Sequence, residues 1–379
     1  MSASPATERI AAPDTDPDLL ARVLAWLLAP RRTGEALRRT CRDRAEGGPD
    51  ERLRAVLPAP ADGQADAIAS IAGTWRRLGV TVALVGDRAY PAGLAAGWPH
   101  TDGPVLLAWT GQAPGITPAV GLVGARRATG YGTGVASWLS ATIARAGGHI
   151  VSGGARGIDA AAHQAALEEP GGTTVVLGCG HAVSYPRGHA APGGLFDRVL
   201  DHGGSLVSEL LPHERPHAGN VRLRNRVVAG LVGALVVVEG GNRSGALVTA
   251  GAAADRGVPV LAVPGDIRAP GSAAPHRLLA EGAAPCRGPE DVLDALGAGT
   301  SSGPARGPTG PDTPGGGTLG LPPDVARALR EAWPRPVRVD DLAVATGRSV
   351  PVLLSVLTQG QIAGVLAESL EGVRLRRAP

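Results

Sequence analysis

The sequence predicts an α/β protein whose core is a Rossmann-like parallel sheet, with a small helical N-terminal domain and a C-terminal winged-helix domain. Three observations lead to this prediction. Short apolar runs alternate with amphipathic stretches over residues 80–296, which is typical of strands and helices in a parallel α/β sheet. Before this region, apolar residues recur at the three- and four-residue spacing of amphipathic helices. After it, a Gly/Pro-rich stretch leads into a compact C-terminal segment.

The composition fits a multi-domain globular protein with a mildly basic charge. The chain has 379 residues, of which 44% are hydrophobic and 19% are charged, and its net charge is +3. A chain of this length has room for about two to three domains. A mild positive charge suits a polyanionic partner but does not require one.

The cysteines and the apolar segments exclude several classes of protein. Cys41, Cys179 and Cys286 form no CxxC pair, so the sequence indicates neither a metal site nor a disulfide framework. The first residues lack the basic and apolar regions of a signal peptide. The longest apolar run, 227–238, contains glycines and is too short to cross a bilayer. We therefore expect a cytoplasmic protein with no membrane insertion, metal or cofactor.

Two segments precede the predicted sheet. Residues 1–16 are rich in Ala, Pro, Asp and Thr, a composition typical of disorder, so we expect a disordered tail. From Pro17 onward, residues such as Leu20, Val23 and Leu24 follow helical spacing, and similar groups continue to Trp75. This pattern predicts a helical N-terminal domain over 17–79.

Eight short β-rich runs define a predicted sheet domain over 80–296. They are 80–85, 105–109, 120–123, 149–152, 173–177, 206–208, 234–239 and 259–263. Amphipathic segments between them include 131–146, 158–167 and 244–256. Strands that are apolar throughout imply a parallel sheet that is covered on both faces.

The C-terminal part of the sequence has two regions. Residues 297–318 form a Gly/Pro/Ser/Thr stretch that predicts a flexible linker. Residues 319–379 predict the winged-helix domain, with a helix at 325–332 and a helix-turn-helix from 339–345 to 350–357. Segments 362–367 and 372–376 indicate the two strands of a wing.

Four predicted loops at the carboxyl ends of strands combine glycine with the start of a helix. They are 124–132, 153–157, 178–180 and 240–245, and three of them contain an arginine. In an open parallel sheet, ligands bind beyond these strand ends. Glycine lets backbone N–H groups approach an anion, a helix N-terminus adds positive potential, and arginine binds phosphate through paired hydrogen bonds. One such loop can have a purely geometric origin, but four on one edge indicate phosphate binding.

The most basic segment, residues 213–226, contains four arginines and one acid. The arginines are Arg215, Arg222, Arg224 and Arg226. Asn220 and Asn225 add neutral hydrogen-bonding groups. The segment is either a solvated basic loop or a stripe that follows a nucleic-acid backbone, where each neutralised phosphate releases counterions.

No enzymatic motif stands out in the sequence. The P-loop pattern GxxxxGK[ST] is absent, which argues against a P-loop NTPase. The residues around Gly130 lack the dinucleotide fingerprint, and no acid closes the next strand, which argues against a nicotinamide enzyme. Paired carboxylates and Ser/His/Asp arrangements are not evident either, so we expect no catalytic residue.

Several segments together resemble the DprA/Smf (DNA-processing protein A) family in their order and spacing. The most specific are Ser152 to His163, which reads SGGARGIDAAAH, and Arg224 to Arg226, which reads RNR. The others are Tyr90-Pro91, 123–126, Tyr185-Pro186, Ser208-Glu209, Gly219-Asn220, Glu239, 243–246, Thr249 and 263–265. The resemblance covers residues 89–284, and the flanking regions resemble the family's usual additions.

The resemblance implies a function and a set of binding residues. A member of this family is expected to bind and protect single-stranded DNA, to assist loading of the RecA recombinase during natural transformation, to form a homodimer and to lack catalytic activity. The N-terminal helices would then form a SAM-like domain. By match, the DNA-binding residues are Gly124, Arg126, Thr129, Gly154, Arg156, Gly157, Asn220, Arg222, Arg224, Asn225, Arg226, Arg243, Ser244 and Gly245.

Two places depart from the family's pattern. Ala125 stands where the family usually has Ser, which removes one hydroxyl contact to phosphate. Val221-Arg222 stands where the family usually has Phe-Pro, and the missing aromatic ring would be worth roughly 1–3 kcal/mol per stacked base. We therefore expect binding to depend more on phosphate contacts than on stacking, and to be unusually sensitive to salt.

An enzyme is the main alternative. Rossmann-like nucleoside-monophosphate phosphoribohydrolases of the LOG type resemble this chain around Gly240-Gly241 and would use Glu239 and an arginine as catalytic groups. Their PGGxGTxxE segment is absent here. A scaffold that binds a small ligand is a further alternative. DNA binding in a salt series, compared with base release from AMP, separates these functions.

Overall fold

The computed structural model describes residues 5–8, 10–30, 32–300, 323–332, 337–347, 353, 357, 366–369 and 372–375. The chain divides into two compact units, Met1–Pro304 and Ala305–Pro379. The predicted helical domain and the predicted sheet domain therefore lie in one unit. They share a continuous hydrophobic cluster that includes Leu24, Trp75 and Leu107.

Helices form the first part of the larger unit. They are α1 (Pro5–Glu8), α2 (Pro17–Leu28), α3 (Gly34–Arg44), α4 (Pro49–Val56) and α5 (Ala65–Arg77). Asp16 caps α2 by accepting hydrogen bonds from the backbone N–H groups of Asp18 (2.7 Å) and Leu19 (3.2 Å), as expected for an N-cap carboxylate. Leu20, Val23 and Leu24 are buried along one side of this helix. The helical periodicity predicted over 17–79 is thus confirmed.

The prediction of a disordered tail over 1–16 is wrong for the described residues of this segment. Ile10 and Ala12 are 1% and 2% exposed. Ala12 donates its N–H to the carbonyl of Val82 (2.8 Å), and Val82 donates to the carbonyl of Ile10 (2.8 Å). The composition does not reveal this order. Two buried apolar side chains and hydrogen bonds to one strand are enough to hold a short polar segment in place.

A nine-stranded sheet follows among the described residues of this unit. Its strands are β1 (Thr81–Leu84), β2 (Leu106–Gly111), β3 (Ala119–Val123), β4 (His149–Gly153), β5 (Thr173–Val176), β6 (Ser205–Ser208), β7 (Ala234–Val237), β8 (Val260–Ala262) and β9 (Ala284–Pro285). Their spatial order is β1-β2-β6-β5-β4-β3-β7-β8-β9. The eight predicted strands are confirmed, and β9 was not predicted because it has only two residues.

The pairing of the strands is mostly parallel, as predicted, with one difference. Strands β3 to β9 pair in parallel, whereas β1 with β2 and β2 with β6 are antiparallel. The predicted parallel core is therefore confirmed for β3 to β9, and the antiparallel pairing of β1 and β2 at this edge was not predicted. Strand direction depends on long-range pairing, which apolar runs alone do not specify.

Helices cover both faces of the sheet. The helices of this region are α6 (Ala92–Ala95), α7 (Gly130–Arg145), α8 (Ile158–Ala166), α9 (Leu195–Asp201), α10 (Ala218–Gly230), α11 (Gly245–Ala254), α12 (Ala273–Ala280) and α13 (Pro289–Thr300), with a 3₁₀ turn at Pro270–Ser272. Residues of α7, α8 and α13 share one hydrophobic cluster, and residues of α10 and α11 share the cluster that includes the N-terminal helices. The Rossmann-like α/β prediction is confirmed.

The smaller unit contains helices and a strand pair. These are α14 (Pro323–Glu331), α15 (Val339–Thr346), β10 (Leu366–Ser369) and β11 (Gly372–Leu375), and the two strands pair antiparallel. The predicted helices at 325–332 and 339–345 match α14 and α15. Most of the predicted third helix, 350–357, lies outside the described residues. The winged-helix assignment itself stays a prediction.

Two further features bear on the predictions. Helix α13 continues to Thr300, so the first residues of the linker predicted over 297–318 are helical, and the other residues of that prediction, 301–318, lie outside the described part of the chain. None of the described helices is long and apolar enough to cross a membrane. Within the same residues, no group of three or more His, Cys, Asp or Glu side chains could hold a metal ion.

Candidate nucleic-acid-binding cleft

The topology brings the glycine- and arginine-containing loops to one place. The chain runs outward from β3 through β4, β5 and β6, and then returns to place β7 on the other side of β3. The loops after β3 and β7 therefore diverge at a topological switch point, which is where open α/β sheets bind ligands. The loop after β4 adjoins them, because β4 pairs with β3.

The larger of two adjoining depressions at this edge is the arginine cleft, of about 430 Å³. It is lined by Arg126, Gly154, Ala155, Arg156, Leu177, Gly178, Tyr185, Pro186, Arg187, Val221 and Arg224. Four of these residues are arginines, and none of the described residues that line it is acidic. The remaining wall is largely apolar. This combination suits a ligand that has both a negatively charged group and a flat apolar part.

The smaller depression is the switch-point cleft, of about 300 Å³. It is lined by Val123, Gly124, Ala125, Arg126, Ala155, Asp159, Val221, Arg224, Asn225, Ser244, Gly245, Ala246 and Thr249. Arg126, Ala155, Val221 and Arg224 line both clefts. The two depressions are therefore neighbouring compartments, with two arginines at their common boundary.

Arg224 is the buried cation of this region. The residue is only 8% exposed, and its Nη1 lies 3.7 Å from Oδ2 of Asp159. Among the described residues, its Nε has no hydrogen-bond partner. Burial lowers the pKa of Arg224, and Asp159 partly offsets this. A buried guanidinium with an unused donor is costly unless a ligand completes its hydrogen bonds.

Asp159 lies on the first turn of α8 and faces Arg224. Burial raises the pKa of its carboxyl, whereas Arg224 lowers it. Asp159 also accepts a long hydrogen bond from the N–H of Ala155 (3.4 Å). The carboxylate thus holds both the buried arginine and the loop after β4.

The loop after β4 depends on glycine for its shape. A Cβ on Gly153 would overlap the guanidinium of Arg224, so only glycine leaves room for that side chain. Gly157 has a φ of +79°, in the region that favours glycine. Its path brings it against the backbone of Ala125 and Arg126, where a side chain would not fit. Gly154 and Arg156 of this loop line the arginine cleft.

Two histidines fix the carbonyl groups of this loop. His163 is fully buried, and its Nε2 donates to the carbonyl of Gly153 (2.9 Å). Burial lowers the pKa of His163 to about 4, so the imidazole is neutral near pH 7. His189 contacts the carbonyl of Gly154 through Nδ1 (3.1 Å). These contacts are structural and support the loop beside the cleft.

Thr129 and Glu239 form the start of α7. Thr129 caps this helix by accepting a hydrogen bond from the N–H of Gly132 (3.1 Å). Glu239 is 6% exposed, and its carboxylate accepts hydrogen bonds from the N–H (2.9 Å) and the hydroxyl of Thr129. Both carboxylate oxygens thus contact the helix N-terminus, where negative charge is stabilised. This arrangement occupies the hydroxyl of Thr129 within the protein.

Helix α11 begins beside the switch-point cleft. Ser244 caps it by accepting a hydrogen bond from the N–H of Ala246 (3.2 Å). Asn225 donates through Nδ2 to the carbonyl of Gly245 (3.2 Å), which ties α10 to the start of α11. Gly124 adjoins this region, where a Cβ would lie 2.6 Å from Ile158 and 2.8 Å from the carbonyl of Glu239.

The basic segment 213–226 is helical from Ala218 onward, where it forms α10. Residues on two sides of this helix contact different parts of the protein. Val221, Arg224 and Asn225 face the clefts. Asn220 and Arg226 lie on another side, which is lined by residues of the N-terminal helices. The structure therefore brings Arg224 and Asn225 to the cleft but separates Asn220 and Arg226 from it.

Several predicted site residues lie outside the two clefts. Arg226 pairs with Glu209, with side chains 11% and 14% exposed. Arg222 and Arg243 are exposed and line neither cleft. Gly157 and Thr129 shape neighbouring loops without lining a cleft.

Sequence reasoning missed one basic residue of the arginine cleft. Arg187 is exposed and lines it beside Tyr185, which is 37% exposed. Its position directly after Tyr185-Pro186 was the available signal, because the family resemblance includes that dipeptide. The loop after β5 contributes Gly178 to the same wall.

Comparisons with known proteins agree with this architecture. A family model described as DNA recombination-mediator protein A matches residues 81–297. Protein Smf of Escherichia coli K12 is 37% identical over 291 residues, which is 76% of each chain. A DNA processing protein DprA of Mycobacterium tuberculosis is 39% identical over 257 residues, which is 67% of this chain and 63% of that relative.

A solved structure gives the same result for the fold. DNA processing protein A of Streptococcus pneumoniae has a TM-score of 0.52 and is 31% identical, with 60% of this chain and 81% of that chain covered. The family model alone matches more than half of the chain. The resemblance predicted from the sequence motifs is confirmed: the chain belongs to the DprA/Smf family of DNA recombination-mediator proteins.

Proposed function

We propose that this protein binds single-stranded DNA across the arginine and switch-point clefts and acts in DNA processing for recombination. One observation carries the proposal: Arg224 is buried between the two clefts, its Nε has no hydrogen-bond partner in the described part of the chain, and Arg126, Arg156 and Arg187 line the adjoining space. Guanidinium groups bind phosphate well because their donors match its oxygens. The names of the relatives and of the family support a role in DNA processing and recombination.

The shape of the arginine cleft favours an unpaired strand over a duplex. Its walls combine Leu177 and Val221 with the ring of Tyr185. A space of about 430 Å³ with apolar walls suits one unstacked base beside a phosphate. Bases in a duplex stay stacked within the helix, so entering such a cleft would require them to be flipped out at a cost of a few kcal/mol.

Most of the binding residues that we propose from the structure were also expected from the sequence. Arg126, Arg224 and Asn225, with the loop residues Gly124, Gly154, Arg156, Ser244 and Gly245, form the surfaces of the clefts. Arg222 and Arg243 are exposed, so we assign them outer phosphate contacts along the strand. Arg187 joins the set as an addition.

The hydrogen bonds of Glu239 argue against catalysis of the LOG type by this protein. Its carboxylate is 6% exposed and accepts two hydrogen bonds from Thr129. A carboxylate held in this way is a structural group of the α7 N-terminus, not a free acid or base. We therefore propose a non-catalytic role.

The family resemblance supports three further proposals. The protein would assist loading of a RecA-type recombinase, would form a homodimer, and would act in the cytoplasm during DNA uptake. Pull-down of purified recombinase and the molar mass in solution test the first two. Neither experiment depends on the cleft residues.

The experiment that tests the function combines two assays. Fluorescence anisotropy of a labelled single-stranded oligonucleotide should show binding that weakens steeply across a salt series, because bound counterions are released from the phosphates. A duplex of the same length should bind more weakly. Incubation of the protein with AMP should release no base. Absence of binding at low salt, or robust base release, would overturn the proposal.

Val221→Phe should tighten the binding of single-stranded DNA. Val221 lines both clefts, and a phenyl ring at this position would offer a flat surface to a base. Base stacking on an aromatic side chain is worth roughly 1–3 kcal/mol, so we expect about a tenfold lower Kd with an unchanged salt slope. Titrations with thymidine-rich and abasic strands provide the measurement. An equal gain on abasic DNA would show that the ring does not act by stacking.

A further inference from the structure

The loop Gly97–Pro104, which we call the clasp loop, is held by arginines from three helical regions. Arg38 of α3 donates to the carbonyls of Thr101 and Pro99, the latter at 3.4 Å. Arg226 of α10 donates to the carbonyl of Asp102. Arg256, which follows α11, forms an ion pair with the carboxylate of Asp102. One short loop therefore connects α3, α10 and the end of α11.

Arg226 makes a second buried contact. It pairs with Glu209, whose other oxygen, Oε1, has no hydrogen-bond partner among the described residues. Burial raises the pKa of Glu209, whereas Arg226 lowers it. Arg226 also acts on Arg38, whose pKa is lowered first by burial and then by this neighbouring cation. Both terminal nitrogens of Arg226 thus donate hydrogen bonds to protein groups, Nη1 to the carbonyl of Asp102 and Nη2 to the carboxylate of Glu209, on the side of α10 that faces away from the clefts.

Two of the helices that the clasp loop joins, α10 and α11, form part of the switch-point cleft. Helix α10 presents Val221, Arg224 and Asn225 to this cleft, and α11 presents its first turn. Arg224 and Arg226 are two residues apart and therefore project from nearly opposite sides of the helix, since successive residues are about 100° apart. A shift of α10 at Arg226 would also move Arg224, because both residues lie within the same helical turn.

We propose that Arg226, Glu209 and Asp102 are positioning residues. They hold α10 on the side that faces away from the clefts, and in this way they place Arg224 where it can contact the DNA. They would set the spacing of α10 and α11 and do not touch the strand. This assignment rests on the proposed function of the cleft. It gives the N-terminal helices a part in DNA binding, because Arg38 anchors the clasp loop from α3.

The test is a double-mutant cycle for DNA binding. The paired variant Arg226→Gln/Glu209→Gln removes both charges together, so neither partner is left as an unpaired buried charge. Its Kd for single-stranded DNA is compared with that of the wild type, and the same pair is then made in an Arg224→Gln chain. We expect a Kd about 3- to 10-fold higher in the first background and little further change in the second, since contacts that act through one another are not additive.

The salt dependence provides the second readout. The slope of log Kd against log salt is compared in the Arg224→Gln background, where the contact of Arg224 is already lost. If Arg226 does not touch phosphate, the paired variant keeps the slope of Arg224→Gln alone, whereas a contact with phosphate would lower that slope by about one. Equal weakening in both backgrounds, a further reduced slope in the Arg224→Gln background, or wild-type affinity in the paired variant would each overturn the proposal.

Two controls make the result independent of folding and of the proposed function. Asp102→Asn leaves the Arg226–Glu209 pair intact and weakens only the contact with Arg256, so it should show a smaller loss of the same non-additive kind if the paired variant fails to fold. Arg277→Gln removes an exposed arginine of α12, which pairs with Glu281 just after the helix, and should leave Kd unchanged. Failure of wild-type protein to bind DNA would refute the proposed function, whereas binding by wild type with additive losses would refute only the positioning role.

Discussion

Replacing Arg224 with Gln should raise the Kd for single-stranded DNA at least about 30-fold, because truncating a buried charged partner costs about 2–5 kcal/mol. The side chain is 8% exposed, lies at the boundary of both clefts and has an unused Nε donor within the described protein. Gln keeps polar atoms but loses the positive charge. The salt slope should fall by about one, as one phosphate contact is lost. Anisotropy titrations at several salt concentrations measure both quantities.

Asp159 determines how this experiment is best designed. Arg224→Glu would place a second carboxylate beside Asp159, which is 3.7 Å from the present guanidinium, and would mix lost binding with lost stability. Gln avoids that repulsion, and Arg224→Gln/Asp159→Asn also removes the unpaired acid. The exposed Arg277→Gln is the matched control. Wild-type affinity in a folded Arg224→Gln protein would show that the cleft does not bind the strand.

Gly153→Ala should weaken DNA binding about 10-fold or more without removing any charge. A Cβ at this position would overlap the guanidinium of Arg224, so the arginine must leave its place over the end of β4. Displacing Arg224 from its buried ion pair with Asp159 costs roughly 2–5 kcal/mol, which is divided between the free energy of DNA binding and the free energy of folding. Thermal unfolding, followed alongside Kd, separates the two contributions.

A second glycine gives the matched control for this substitution. A Cβ on Gly251, in the middle of α11, meets no atom within 4 Å. Gly251→Ala should therefore leave Kd unchanged and raise stability by up to about 1 kcal/mol, because alanine favours the helix. If both alanine variants bind DNA equally well, the absence of a side chain at Gly153 is not what allows Arg224 to take its position in the cleft.

The sheet and its loops could be predicted from the sequence because they depend on local signals. Continuous apolar runs marked the strands, and the glycines of segment 153–157 marked a close backbone turn. The switch point could not be located in this way, since it depends on β7 returning to pair with β3. The antiparallel edge strands depend on the same kind of long-range pairing.

Helix α10 shows why the roles of individual arginines were harder to predict. The segment before it contains Pro216, and its cap is His217, which accepts from the N–H groups of Gly219 (3.1 Å) and Asn220 (3.4 Å) but is not a usual capping residue. Without a recognised helix, the side to which Arg224 and Arg226 point could not be assigned. One faces the clefts and the other faces Glu209.

The short N-terminal segment has a consequence for how the protein behaves in solution. Strand β1 is the outer strand of the sheet, and Ala11 pairs with Val82 along its open side. Unpaired edge strands offer their backbone groups to other chains and promote aggregation. By pairing with this side, residues 10–12 block the association of β1 with the strands of other chains. A shortened chain that starts at Pro17 would keep every proposed DNA contact. It would, however, expose the unpaired backbone groups of β1, and we expect it to aggregate more readily.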